Sequence, residues 1–261
     1  MGGGITIYNN SQVNTVDYIS SIASTGNLSD FGDLSVARTQ LGGCGNATRM
    51  LAGGGVASGT RSDVIDYQTF SSTGNFSDFG NLDAAAFYLG GLANSTRGVF
   101  CGGNDNNDFN RIQYVTISTT GNAADFGDCA VQQGNGPACC SSTTRGIIAG
   151  GTSDSSLTIS YITIASTGNA SDFGDTTEAF YYASGCSSST RGLSARYMND
   201  GSSPTNNIEY VTIASTGNAV DFGDQTRPID RGAALSSSTR GVFGGGNDDN
   251  YGITNVVDYV T

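Results

Sequence analysis

TIASTGNASDFGD, residues 163–175, recurs with small changes five times along this chain. Each copy is followed by an Ala- and Gly-rich apolar stretch and then by Thr-Arg. The Gly of the Gly-Asn step falls at Gly26, Gly74, Gly121, Gly168 and Gly217, so the successive spacings are 48, 47, 47 and 49 residues. A period of this length, built from short strand-like runs and Gly-rich turns, is typical of stacked units such as propeller blades.

Each repeat contains four short runs with strand character. The second run ends in a Gly cluster, and the third alternates Ile or Val with Thr around a Tyr. The 39 Gly residues and the absence of a sustained helical period disfavour long helices. The sequence therefore predicts an all-β fold, most simply a β-propeller of five four-stranded blades of 47–49 residues. Six blades, one of them incomplete, are the alternative.

The 261 residues are enough for one all-β domain with a buried core, and they predict a single domain over residues 1–261. The strand Tyr recurs at Tyr18, Tyr67, Tyr114, Tyr161, Tyr210 and Tyr259, and the repeats run approximately over 18–66, 67–113, 114–160, 161–209 and 210–258. The Tyr strand thus occurs six times and the Asp-Phe-Gly segment five times. We expect the N- and C-terminal strands to close the ring, with the spare Tyr strand as an extra edge, as a pairing site for another chain, or as part of a sixth blade.

Two resemblances follow from these motifs. A Gly-Gly doublet after an apolar strand, a variable loop, an Asp/Glu-Tyr strand and a Gly-Asn turn resemble the kelch-type β-propeller repeat over essentially the whole chain. The Trp usual in kelch blades is replaced by Phe31, Phe79, Phe126, Phe173 and Phe222. The amino-acid sequence of the repeat is also similar to that of repeats in tail-fibre-like and other structural proteins of marine bacteriophages. This resemblance implies a role on the virion surface.

Paired acidic residues recur in the Asp-Phe-Gly-Asp segments. No cofactor is expected apart from calcium, which hard oxygen ligands at such spacing could hold. Asp beside Gly also caps turns, which is the alternative. The candidate calcium ligands are Asp30, Asp33, Asp125, Asp128, Asp172, Asp175, Asp221 and Asp224.

One Arg per repeat follows Thr at a fixed phase. A guanidinium that forks onto a repeat Asp would form a structural ion pair, and a ring of Arg around the central opening, receptive to an anionic ligand, is the alternative. The five residues are Arg49, Arg97, Arg145, Arg191 and Arg240.

No residue is assigned a catalytic role. The chain has no His and no Lys, so Ser and Thr lack an ordinary base to activate them. Cys44, Cys140 and Cys186 occupy a position that Leu92 and Leu235 fill in the other repeats, which indicates buried apolar side chains. Acidic pairs in nearly every repeat favour a scaffold role, and a carbohydrate-active enzyme is the least favoured reading.

Ligand recognition is expected in the loops that differ most between repeats: Val56 to Asp63, Asn104 to Asn110, Thr152 to Ser156, Met198 to Asn206 and Asn247 to Gly252. Their mixture of Asn, Asp and aromatic side chains is compatible with carbohydrate. The candidate ligand-binding residues are Asn104, Asp105, Asp108, Phe109, Tyr197, Asn247, Asp248 and Tyr251. The alternative is that these loops are solvated turns that bind no ligand.

The net charge of -12 disfavours nucleic acid and anionic lipid surfaces as partners. No run of transmembrane length occurs, so membrane insertion is not expected, and Met1-Gly-Gly-Gly-Ile lacks the features of a secretory signal. The sequence therefore favours a non-enzymatic phage virion structural or adhesion protein on the particle surface. Its expected partners are other virion proteins or a host-surface glycan or protein, with homo-oligomers possible. An intracellular kelch-type interaction module is the alternative.

Overall fold

The computed structural model describes residues 2–5, 12–104, 110–152, 156–197, 205–248 and 252–261. These residues form 26 β-strands and no helix, and therefore no helix that could cross a membrane. In chain order the strands are β1 Gly2–Ile5, β2 Gln12–Tyr18, β3 Ser29–Asp33, β4 Gly42–Gly45, β5 Arg49–Gly53, β6 Val56–Ala57, β7 Thr60–Arg61, β8 Val64–Thr69, β9 Ser77–Asn81, β10 Phe87–Ala93, β11 Arg97–Asn104, β12 Arg111–Thr116, β13 Ala124–Asp128, β14 Ala138–Ser141, β15 Arg145–Ala149, β16 Thr158–Thr163, β17 Ser171–Asp175, β18 Tyr181–Ser187, β19 Arg191–Tyr197, β20 Asn207–Thr212, β21 Val220–Asp224, β22 Ala233–Ser236, β23 Gly241–Gly244, β24 Asn247–Asp248, β25 Gly252–Ile253 and β26 Val257–Val260.

The strands of four repeats form complete antiparallel sheets around a common axis. Their orders are β4-β5-β8-β9, β10-β11-β12-β13, β14-β15-β16-β17 and β18-β19-β20-β21. The first strand of each sheet lies against the first strand of the neighbouring sheet, as for β4 with β10, β14 with β18, and β18 with β22. The molecule is a β-propeller built from five repeats, and the prediction of an all-β propeller is confirmed.

The strands of the remaining repeat are divided between the two ends of the chain. β2 and β3 pair with β1 in one three-stranded sheet, and β22 and β23 pair with β26 in another. Arg240 Nη1 donates to the Ile22 carbonyl at 3.0 Å and so links the last sheet to the first. The N- and C-terminal strands, which were expected to close the ring, therefore lie in two separate three-stranded sheets, and each end brings its own Tyr strand, β2 or β26.

The fixed Tyr and Phe of each repeat pair across the two outer strands. Tyr161 of β16 meets Phe173 of β17 edge to face, with ring centroids 5.9 Å apart, and a β-bulge between Ile159 and Ser160 shifts the register beside the pair. Phe173 is 3% exposed and contributes to the core between blades. Such pairs add about 0.5–1.5 kcal/mol to the burial of the rings, which accounts for their recurrence.

The Gly-Asn step forms a latch onto the outer strand of the preceding sheet. Gly168 N donates to the Phe126 carbonyl at 2.7 Å and Ala170 N to the Asp128 carbonyl at 2.7 Å. In return, Asn169 Oδ1 accepts from Asp128 N at 3.1 Å. The same three bonds recur where Asn75, Asn122 and Asn218 meet the sheet before them.

Candidate functional site

One position of every repeat, just before or at the start of the innermost strand, has a left-handed backbone. The five residues, called the axial ring here, are Gln40 (φ 60°), Tyr88 (φ 59°), Gly136 (φ 68°), Tyr182 (φ 54°) and Arg231 (φ 54°). This conformation strains any residue that has a Cβ by about 1–2 kcal/mol, and glycine avoids the strain. A chain with 39 glycines uses glycine at only one of these five positions. Strained non-glycine residues of this kind often mark functional positions.

Backbone hydrogen bonds connect the axial ring from sheet to sheet. Tyr88 N donates to the Gln40 carbonyl at 2.8 Å, and Gly136 N donates to the Tyr88 carbonyl at 3.1 Å. Farther round, Arg231 N donates to the Tyr182 carbonyl at 3.0 Å. The strained left-handed backbone therefore allows hydrogen bonds between neighbouring sheets. It also places five side-chain positions at the same mouth of the axis.

Three of these side chains meet across the axis. The rings of Tyr88 and Tyr182 lie 4.5 Å apart, although they come from sheets separated by a third. The Arg231 guanidinium lies 4.2 Å from the Tyr182 ring centroid, and its Nε donates to the Tyr88 hydroxyl at 3.2 Å. Gly136 contributes no side chain between the two tyrosines, and the space is filled by the rings.

The charge of Arg231 is balanced next to it. Arg231 Nη1 pairs with Asp230 Oδ2 at 2.5 Å, and the Arg231 side chain is 41% exposed while that of Asp230 is 5% exposed. Burial by itself would lower the pKa of Arg231, but Asp230 and the two tyrosine hydroxyls raise it above its ordinary value. Burial raises the pKa of Tyr88, against the opposing effect of Arg231. Both groups therefore keep their protons at neutral pH, with Arg231 charged and the Tyr88 hydroxyl neutral.

The opposite mouth of the axis is polar and has no aromatic lining. A cavity of about 300 Å³ is lined by Ala93, Asn94, Ser141, Ser142, Thr143, Ser187, Ser188, Ser189, Ser237 and Ser238. Ser187 Oγ donates to the Ser141 carbonyl at 2.8 Å, and Ser236 Oγ donates to the Ser187 carbonyl at 2.7 Å. The hydroxyls of Ser187 and Ser236 therefore connect neighbouring inner strands.

The repeated arginines do not form the predicted ion pairs with the repeat aspartates. The ion pairs of the described residues involve other arginines. Each repeated guanidinium instead lies 4.3–4.8 Å from the centroid of a strand Tyr: Arg49 on Tyr67, Arg97 on Tyr114, Arg145 on Tyr161, Arg191 on Tyr210 and Arg240 on Tyr259. Arg145 Nη1 also donates to the Ile213 carbonyl of the next sheet at 2.9 Å, and Arg49, Arg97 and Arg240 make the equivalent bond. The guanidinium stacks on a Tyr ring and donates a hydrogen bond to a carbonyl oxygen of the next sheet, so these arginines hold neighbouring sheets together. They do not line the serine cavity.

The predicted calcium ligands lie in the outer strands. Asp172 Oδ1 accepts a hydrogen bond from Gly174 N at 3.0 Å, and Asp221 Oδ1 accepts one from Gly223 N at 3.2 Å. These two aspartates therefore cap turns, which was the alternative to calcium binding. The part of the chain that the structure describes brings no three His, Cys, Asp or Glu side chains together as a metal site. The candidate calcium ligands lie on the outer strands β3, β13, β17 and β21, and calcium binding stays a prediction for Asp30, Asp33, Asp125, Asp128, Asp172, Asp175, Asp221 and Asp224.

The predicted loop residues are only partly described. Asn104 ends β11, Tyr197 ends β19, and Asn247 begins the short ribbon formed by β24 and β25. Asp248 is 1% exposed, and its Oδ2 lies 3.7 Å from Arg227 Nη1. Ligand binding by Asp248 stays a prediction. Asp105, Asp108, Phe109 and Tyr251 lie outside the described residues.

All six cysteines are free thiols, and five of them are buried. Burial raises the pKa of Cys44 and of Cys186 to about 12, and it raises the pKa of Cys140 as well. Neutral thiols in apolar surroundings are poor nucleophiles and poor metal ligands. The apolar role predicted from the alignment with Leu92 and Leu235 is therefore consistent with the structure.

The fold and the axial ring define a β-propeller with a cluster of two Tyr and one ion-paired Arg at one mouth of its axis. No protein-family model matches the chain, and no curated protein matches it. Among solved structures it is similar to that of YjhT, with a TM-score of 0.71 and 9% sequence identity, over 90% of this chain and 85% of that one. At this identity the likeness shows the fold alone.

Proposed function

We propose that this chain is a non-enzymatic β-propeller that binds a glycan through its axial ring. The observation that carries the proposal is the cluster of Tyr88, Tyr182 and Arg231, held together across the axis by backbone positions that would be less strained as glycine. Evolution of a scaffold alone would favour glycine at such positions. The presence of side chains at these strained positions therefore supports a use for them.

The cluster offers the contacts that a sugar ring requires. The apolar face of a pyranose stacks on an aromatic ring, and its hydroxyls need donors and acceptors around the edge. Tyr88 and Tyr182 supply the rings, and their hydroxyls with the Arg231 guanidinium supply the polar groups. The Arg231 side chain is 41% exposed, so it is accessible from solvent.

The charges of the axial ring and of the whole chain favour an uncharged glycan as the ligand. Asp230 pairs with Arg231, so the cluster itself carries little net charge. The chain as a whole has a net charge of -12, which repels a polyanion on approach. A neutral host-surface glycan fits both the local and the overall charge.

The location on a phage particle is a further part of the proposal. It is supported by the resemblance of the repeat wording to phage structural proteins, and the kelch-like reading is supported by the Gly-Gly, Asp/Glu-Tyr and Gly-Asn motifs. Because the chain has no Lys, an amine-reactive dye labels the N-terminus with little competition. We expect saturable binding of the labelled chain to host cells that free sugar displaces, and binding to particles alone would reject the adhesion role.

Replacement of Arg231 by Gln tests the glycan site. A neutral glycan selected on an array is titrated into the wild type and into Arg231→Gln, and we expect the variant to bind at least about tenfold more weakly because a charged donor is lost. Arg111→Gln is the matched control, since Arg111 is also a surface arginine paired with an Asp, Asp83. The absence of any bound neutral glycan, or equal affinity in the two variants, would reject the site, and release of reducing sugar would reject the non-enzymatic reading.

A further inference from the structure

Two pairs of consecutive aromatic residues lie at equivalent positions of two sheets. Phe87 and Tyr88 begin β10, and Tyr181 and Tyr182 begin β18. Tyr88 and Tyr182 belong to the axial ring, and Phe87 and Tyr181 directly precede them. The residue at this preceding position differs between repeats: Thr39, Phe87, Asn135, Tyr181 and Asp230. Two of the five repeats therefore extend the axial ring by a second aromatic side chain.

The four rings contact one another in a continuous row, called the aromatic row here. The ring centroids of Phe87 and Tyr88 are 4.8 Å apart. Those of Tyr88 and Tyr182 are 4.5 Å apart, and those of Tyr182 and Tyr181 are 4.9 Å apart. Neighbouring rings are inclined by 46–82°, so they do not cover one another completely, and all four residues are half-buried. Each residue therefore keeps part of its surface for a ligand.

The segment between the two aromatic pairs holds them together. Gly136 N donates to the Tyr88 carbonyl at 3.1 Å, and Tyr182 N donates to the Asn135 carbonyl at 2.8 Å. A Cβ placed on Gly136 would lie 3.0 Å from Tyr182 Cα, so a larger residue at this position would displace Tyr182. Backbone hydrogen bonds therefore fix the aromatic row, and a surface that is ordered in advance loses little conformational entropy on binding.

Arginines lie at two separate points of the aromatic row. The Arg61 guanidinium lies 5.5 Å from the ring centroid of Phe87, at one end of the row. The Arg231 guanidinium lies 4.2 Å from the ring centroid of Tyr182, and Arg231 Nε donates to the Tyr88 hydroxyl at 3.2 Å, in the middle of the row. A pyranose is about the size of one aromatic ring, so a single sugar covers only a part of the row. The row therefore offers stacking contacts and polar groups to more than one sugar.

We propose that the aromatic row binds several consecutive sugars of a linear, neutral oligosaccharide. This inference rests on the proposed function, because it assigns the ligand class of the same site. The sugar at Tyr88, Tyr182 and Arg231 receives most of the polar contacts, and its neighbours in the glycan chain lie on Phe87 and on Tyr181. The site therefore recognises an internal segment of a glycan and not a single terminal sugar.

Affinity for glycans of different length tests the proposal. The probes are mannose, glucose, galactose and the linear oligomers of each, titrated into the whole chain. We expect the oligomers of at least one of these sugars to bind at least about tenfold more tightly than the single sugar, because each further sugar adds a stacking contact. Equal affinity for a single sugar and its oligomers would overturn this inference and leave the proposed function standing. No binding at any length would overturn both.

Phe87→Thr tests the end of the aromatic row with a residue that the fold already accepts. Thr39 occupies the same position in another repeat. We expect the ratio of the oligomer affinity to the single-sugar affinity to fall about three- to tenfold, because one stacking contact of the oligomer is lost. Phe87→Tyr copies Tyr181 at the equivalent position and should keep the ratio of the wild type.

The control for Phe87→Thr is Phe70→Ala. Phe70 is another exposed aromatic residue, 50% exposed, outside the aromatic row, and its loss should leave the ratio unchanged. A ratio that is the same in Phe87→Thr and in the wild type would overturn the inference. So would a ratio that Phe70→Ala lowers as much as Phe87→Thr does.

Discussion

Replacement of Asp66 by Ser should lower the free energy of unfolding by about 3–5 kcal/mol, because it leaves a buried charge unpaired. Arg38 and Asp66 are both 0% exposed, and Arg38 Nη2 donates to Asp66 Oδ2 at 2.6 Å. Arg38 Nη1 donates to the carbonyls of Gly54 and Val64. Burial lowers the pKa of Arg38, and Asp66 opposes that shift. Urea unfolding followed by far-UV circular dichroism measures the loss.

The chain supplies its own control for this replacement. Gln133 occupies the position of Arg38 in another repeat and donates to the carbonyls of Ile148 and Gly150, and Ser160 occupies the position of Asp66. The double variant Arg38→Gln/Asp66→Ser copies that repeat and removes the unpaired charge. We expect it to be more stable than Asp66→Ser by about 2 kcal/mol or more. A double variant less stable than the single one would show that the charge is not the cause.

Replacement of Gly127 by Ala should cost at least about 3 kcal/mol of stability. The added methyl group would lie 2.5 Å from the carbonyl group of Gly168, in the latch that joins two blades, and the φ of 142° is itself unfavourable for Ala. Backbone on both sides leaves little room for relaxation. Thermal unfolding of the purified variant measures the effect.

Gly223→Ala is the matched variant for Gly127→Ala. Gly223 has φ 140° and open space around the position of the added methyl group, so only the conformational strain of about 1 kcal/mol applies. The difference between the two variants isolates the contribution of the latch. Equal losses would mean that backbone conformation, and not the contact between blades, makes glycine necessary at this position.

The repeat period predicted the propeller because each unit contains the same Tyr, Phe and Gly at the same phase. The division of the two chain ends into separate sheets did not follow from the pattern. β2 and β26 carry the same strand signal, and pairing between distant strands decides which sheet each one joins. The prediction that the repeated arginines pair with the repeat aspartates was also wrong. An Arg and an Asp at fixed positions of a repeat do not reveal that a Tyr ring and a backbone carbonyl lie closer to the guanidinium than the carboxylate does.

The residues of the axial ring have a fixed position in the repeat, but the sequence alone does not mark that position as special. Gln40, Tyr88, Gly136, Tyr182 and Arg231 each lie four residues before the Cys or Leu of the inner strand. Their variation resembles that of any loop residue, and left-handed backbone at such varied residues is not a pattern that sequence predicts. A polar residue precedes every strand Tyr, and this pattern is visible in the sequence: Asp17, Asp66, Gln113, Ser160, Glu209 and Asp258. Four of them, Asp66, Gln113, Ser160 and Glu209, are buried, and each accepts a hydrogen bond from a backbone N–H of the segment before the inner strand of its sheet.

Hydrogen exchange with a saturating neutral glycan locates the binding face most directly. We predict slower exchange at the amides of the axial ring, at Tyr88, Tyr182 and Arg231, because the sugar would cover this mouth of the axis. The amides around Ser141, Ser187 and Ser236 at the opposite mouth should exchange as in the free chain. Protection at the serine mouth with no change in the axial ring would contradict the proposed site.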